Sequence, residues 1–189
     1  AIQSASANLY QDFNMPSTVD QRYRTSHSMG IESTESYRGV PPSTVVYVDG
    51  SCRPNDTDDA RAGFGVHFPG SPKKDIFGPL PLRELQTSQH AELYAVKKAL
   101  HATRKVTGPV EIRTDCHNAV DILTAQPPTS KASKGASASN PQENLVKGIK
   151  AAASARKDPI VLLHVRSHSG NRGNAQANRL ARQGASARR

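Results

Sequence analysis

The sequence predicts an α/β domain over residues 43–187: a five-stranded mixed sheet, three antiparallel strands followed by two parallel ones, flanked by helices. Three observations predict it. Three strand-like runs precede the first helical period, and consecutive strands with no helix between them pair as antiparallel hairpins. The later strands are separated by helical segments, which requires right-handed parallel crossovers. Finally, two apolar strands end on an aspartate, Thr44–Val48 on Asp49 and Val110–Thr114 on Asp115. If those two strands lie parallel and adjacent, both acids reach the carboxyl edge, where open α/β sheets hold their sites.

Residues 1–42 are rich in Ser and Thr, carry scattered charges and end in Val40-Pro41-Pro42, so they read as a polar, flexible extension. Thr44–Val48 is a buried β-favouring run. The polar run 53–61 turns the chain into Ala62–Phe68, whose small and bulky residues alternate and whose glycines let a neighbouring backbone come close. Lys74–Gly78 is a weak third strand. From Ser88 to Arg104, the spacing of Leu93, Val96, Leu100 and Thr103 gives one apolar face of period 3.6, a helix with Glu92 in its first turns. Val110–Thr114 alternates as a strand, and Asn118–Ala125 makes a short helix. Residues 127–142 hold three prolines, several serines and only Lys131 and Lys134 as charges, a low-complexity loop. A helix over Glu143–Ala155, a strand over Ile160–Val165, a loop over 166–173 and a helix from Asn174 to about Ala187 complete the chain.

With 189 residues, the chain can bury one ordinary core, yet only 35% of residues are hydrophobic and Trp is absent, so part of it lies outside that core. Lys+Arg 25 against Asp+Glu 16 leaves a net charge of +9, which suits a polyanion such as nucleic acid, or a protein with basic tails. Cys52 and Cys116 form no disulfide framework and lack zinc spacing, which points to a reducing compartment, nucleus or mitochondrion. No apolar run approaches the ~18 residues of a membrane span, and we expect no membrane partner. Opening on Ala1 rather than Met, the chain reads as a processed product.

Asp49, Glu92 and Asp115 converge in this arrangement. Three carboxylates at one edge repel each other unless a cation offsets them. Hard oxygen ligands suit Mg²⁺, with Mn²⁺ as a substitute. Two such ions ~3.5–4 Å apart form the clamp used for in-line attack on phosphodiesters. An acidic metal site on a basic chain implies a nucleic-acid substrate.

Five stretches, in order, carry a resemblance: Tyr47–Cys52, Ala62–Val66, Gln86–Leu93, Arg113–Asp115 and His164–Asn174. Together they resemble the motifs of type 1 ribonuclease H, nearest in pattern to the eukaryotic cellular enzymes. The resemblance implies an endonuclease that cuts the RNA strand of RNA/DNA hybrids with two Mg²⁺ ions. By it, Asp49 bridges both ions, Glu92 and Asp115 hold the one on the leaving-group side, and His168 shuttles a proton or aids product release. It also implies 2′-hydroxyl contacts around Ser51, Cys52, Asn55, Ser88 and Gln89, and a DNA-strand phosphate held by Thr87 and Asn140. His90 and His117 neighbour the acids in sequence, but adjacent residues point elsewhere, so both read as structural.

The pattern breaks at one ligand. The family's last motif ends Gly-Asn-x-x-Ala-Asp, and this chain has Gly173-Asn174-Ala175-Gln176-Ala177-Asn178. Asn178 is nearly isosteric with the acid but neutral, and its NH₂ cannot face a cation. Ser88 stands where Asn is usual and Leu85 where an arginine is usual, although Arg83 is close by. Residues 127–142 replace a basic, Trp-bearing protrusion without any aromatic, and no amino-terminal hybrid-binding domain is visible in residues 1–42. Two readings follow. One is a hybrid-cutting nuclease impaired at Asn178. The other is an inactive relative of the same fold serving as an RNA-binding or structural subunit of a ribonucleoprotein such as a ribosome.

Overall fold

A computed structural model describes residues 30–34, 37–42, 44–54, 60–125, 140–167 and 170–187. Its strands are β1 (Ile31–Ser33), β2 (Thr44–Arg53), β3 (Arg61–His67), β4 (Ile76–Pro79), β5 (Val110–Thr114) and β6 (Ile160–His164). Its helices are α1 (Ser88–Ala102), α2 (His117–Thr124), α3 (Pro141–Ser154) and α4 (Arg172–Ser186). They form one mixed sheet in the order β1-β6-β5-β2-β3-β4. The β2–β3 and β3–β4 pairs are antiparallel, and β2–β5, β5–β6 and β1–β6 are parallel.

The sheet therefore has six strands rather than five. The extra one, β1, lies within the stretch read as a polar extension. Its three residues pair in parallel with Ile160–Leu162 of β6. Thr34 anchors it, donating from Oγ1 at 3.0 Å and from its backbone N at 2.9 Å to Leu162 O, and Tyr37, 1% exposed, donates its hydroxyl to Val40 O at 2.9 Å in the turn that follows. So short a strand has no period of its own to read, and its pairing is supplied by β6.

Helices α1 and α4 cover opposite faces. Phe64 of β3 packs against Tyr94 of α1 with ring centroids 5.5 Å apart, whereas its neighbours Gly63 and Gly65, on the other face, meet α4. A Cβ on Gly65 would lie 2.3 Å from Ala177 O, so α4 rests on the bare backbone of β3. On the α1 side, a Cβ on Gly50 would lie 2.2 Å from Glu92 N. Both glycines thus bring a helix down onto the sheet beside Asp49. Val46, Ile112, Leu93, Val96 and Leu162 belong to the continuous core, each at most 1% exposed.

Candidate active site

Asp49 is delivered by a mismatch in strand length. The sequence reading ended its strand at Val48, but β2 runs on to Arg53 because β3 continues to pair with it, Asp49 opposite Gly65. On the other side, β5 stops at Thr114. The β2–β5 register, Tyr47 opposite Arg113, extends to set Asp49 and Asp115 at one level, as the acid-tipped strands predicted. Glu92 comes from the second turn of α1, seated on Gly50. One ligand oxygen from each of Asp49, Glu92 and Asp115 lies within 4.8 Å of the others.

The electrostatics of this cluster are unfavourable without a counter-ion. Asp49 is 2% exposed. Burial pushes its carboxyl up to about 6, and the charge of Asp115 adds to the effect, while hydrogen bonds from Glu92, Asn178 and the Gly50 backbone oppose it. Glu92 is raised well above the usual carboxylate range, first by burial and then by the Asp49 charge. Asp49 Oδ2 and Glu92 Oε2 are both buried with no hydrogen-bond partner. Buried acceptor oxygens without donors are what a hard cation satisfies, so the donor set fits a divalent ion with oxygen ligands.

Asn178 joins the cluster from α4. Its amide hydrogen-bonds Asp49 and favours the charged form of that acid, a role an aspartate could not play. It lines a cleft of about 390 Å³ together with Asp115, Asn174, Arg166, Arg172 and Arg182. Asn174 is a residue the sequence reading did not single out as functional. It is 6% exposed and donates from Nδ2 to Asp115 Oδ2 at 2.9 Å, fixing the orientation of that acid. Its place four residues before Asn178, on the same helix face, is the signal that could have found it. His164 adds a contact of Nε2 with Asp115 O at 3.2 Å.

The other expected site residues divide into three groups. Ser51 and Cys52 lie on β2 just past Asp49, and the Cys52 thiol donates to Gln86 O at 3.1 Å. Gln86 in turn accepts from Ala62 N and donates to Pro81 O and Glu84 O, tying the loop before α1 to the sheet. Thr87 caps α1 by accepting from His90 N at 3.2 Å, so Thr87, Ser88 and Gln89 sit together at the helix start. Asn140 is exposed and caps α3, which begins two residues earlier than its apolar period suggested because Pro141 takes the first helical position. That places it at the opening of α3. Asn55, His168 and most of the 127–142 loop lie outside the described residues. His90 is fully buried with Nε2 2.8 Å from Glu84, and His117 is exposed against the His164 ring.

Comparison with known proteins follows the same lines. The family model described as RNase H matches residues 41–186. The chain is 34% identical over 172 residues to "Ribonuclease H" of Schizosaccharomyces pombe, covering 89% of this chain and 64% of that protein. It is 33% identical over 167 residues to "Ribonuclease H1" of Mus musculus, covering 82% and 54%. The chain thus spans somewhat under two thirds of the length of these relatives. Among solved structures, LC11-RNase H1 from compost superposes with a TM-score of 0.57 at 19% identity, covering 77% of this chain and 96% of that one, a likeness of fold. With the family model matching residues 41–186 and the identity to these eukaryotic relatives, the chain belongs to the RNase H family, in its eukaryotic type 1 form.

Proposed function

We propose that this chain is an endoribonuclease that hydrolyses the RNA strand of RNA/DNA hybrids, at a rate lowered by Asn178. The observation that carries this reading is the meeting of Asp49, Glu92 and Asp115 within 4.8 Å, with two buried carboxylate oxygens left without partners. Asp49, Glu92, Asp115 and the carbonyl of Asn178 would hold two Mg²⁺ ions, or Mn²⁺, which supply Lewis-acid activation of water and neutralise charge at the leaving oxygen. Asp49 would be the acid that both ions share. Asn174 holds the Asp115 carboxylate in one orientation by its Nδ2 donor. The α1 start, with Thr87, Ser88 and Gln89, presents polar groups to the substrate backbone beside Glu92, and Ser51 and Cys52 line the approach from β2. His168 would serve as the proton carrier, a role suited to an imidazole, which can take either charge state near pH 7.

Asn178 brings one fewer negative charge to the ions, and to accept one with its carbonyl it must turn its amide away from Asp49. We therefore expect weakened affinity for divalent ions and a response to Mn²⁺ greater than to Mg²⁺. The test is to incubate the chain and its Asn178→Asp variant with a hybrid labelled on the RNA strand, in each metal. Cleavage by both, faster in the variant, supports the reading. Silence from both, with hybrid bound or unbound, overturns it.

A further inference from the structure

Far from the carboxylates, α1 and α3 enclose a groove of about 420 Å³ lined by Lys97, Lys98, His101, Arg104, Gly148 and Ala152. We propose that this groove is a second contact surface for the sugar-phosphate backbone of the nucleic-acid duplex, an inference that rests on the nuclease reading above.

Charge is the first argument. No acidic residue lines the groove, and Lys97, Lys98 and Arg104 form ion pairs with no carboxylate among the described residues. Lys97 and Lys98 come from the last turns of α1 and Arg104 from just past its end at Ala102, and all three line the one groove. Three cations without a carboxylate partner in one groove form a patch complementary to a polyanion.

Shape and order are the second. Lys98 Nζ lies 5.2 Å from the ring centres of both Phe64 and Tyr94, and Lys97 Nζ lies 5.4 Å from that of Tyr94. Cation–π contacts hold both lysines in place before any ligand arrives, which lowers the entropy lost on binding. The opposing wall is small: a Cβ on Gly148 would meet nothing within 4 Å, so a bulky backbone can approach. Arg156 closes one end, donating to Thr103 O at 2.8 Å and Val106 O at 3.2 Å.

Position is the third. The groove starts about 8 Å beyond Glu92 along the helix and continues to about 15 Å, from the helical rise of 1.5 Å per residue. A duplex presents one charge per ~1.7 Å of its axis, so several phosphates fall within that span.

The test measures hybrid binding without divalent ions, at 50 and 200 mM salt, for the full chain and for the triple variant Lys97→Gln, Lys98→Gln, Arg104→Gln. Each phosphate contact contributes about 0.9 to the slope of log K against log salt. Three lost contacts predict that the wild type loses ~40-fold more affinity across that salt range than the variant. A variant with the same melting temperature and the wild-type salt slope would overturn the inference alone, and would assign the patch to an acidic protein or to no partner. Failure of the wild-type chain to bind hybrid at all would instead overturn the nuclease reading beneath it.

Discussion

Replacing Asp49 by Asn should stabilise the metal-free protein, and only above acidic pH. In the fold, Asp49 titrates at about 6 instead of its ordinary 3.8, so the folded state prefers the protonated acid. The resulting penalty is absent below pH 3.8, builds as pH rises to about 6 and is complete above it. At 1.36 kcal/mol for each tenfold change, its full size is about 3 kcal/mol. An amide removes the charge at constant volume, and its NH₂ can donate to the unpartnered Glu92 Oε2. For a chain of this size, ~2–4 °C per kcal/mol gives a rise in Tm of roughly 6–12 °C. The assay is calorimetry in EDTA at pH 7.5 and again at pH 4, where the difference should nearly vanish. Adding Mn²⁺ at pH 7.5 should raise the Tm of wild type and not of the variant, because an ion that binds only the folded site stabilises it by mass action. An Asn variant less stable than wild type at pH 7.5 in EDTA, or a difference equal at both pH values, would refute the argument that uncompensated charge dominates this site.

Other expectations follow from particular contacts. Asn174→Ala removes the donor to Asp115 and should cost about 1.5 kcal/mol of stability, the lower end for a charged hydrogen bond, and weaken Mn²⁺ binding measured by calorimetry. Gly65→Ala drives a methyl into the α4 backbone at Ala177 O and should cost about 3 kcal/mol in chemical denaturation, with loss of metal binding as α4 shifts. Tyr37→Ala empties a fully buried site under the amino-terminal strand, with an expected cost of about 3–5 kcal/mol. Starting the chain at residue 43 should lower the Tm for the same reason, since β1, Thr34 and Tyr37 would go with it.

Much of this was legible in the sequence because it is written in periods. The alternation of Val110–Thr114 and the apolar stripe of α1 set those elements and placed Glu92, and the two acid-tipped strands paired as their termini required. What escaped were features made by partners distant in the chain. β1 exists because β6 offers an edge, and nothing in Ile31-Glu32-Ser33 announces that. The run of β2 past Asp49 depends on β3 remaining alongside, so the strand does not end at Val48 as its β-favouring run suggested, and Gly50 serves the approach of α1. Asn174 became visible as a partner of Asp115 only when α4 and β5 were brought together.

The seating of α4 on Gly63 and Gly65 separates two properties of position 178 that are usually lost together. Where α4 lies on the bare backbone of Gly63 and Gly65, its height above Asp49 is set by main-chain atoms rather than by side chains that could repack. Exchanging one terminal atom at residue 178, nitrogen for oxygen, changes the charge there and leaves its location alone. The scaffold that aims position 178 is in place for either side chain, so Asn178→Asp should change the charge offered beside Asp49 without any rearrangement of the fold.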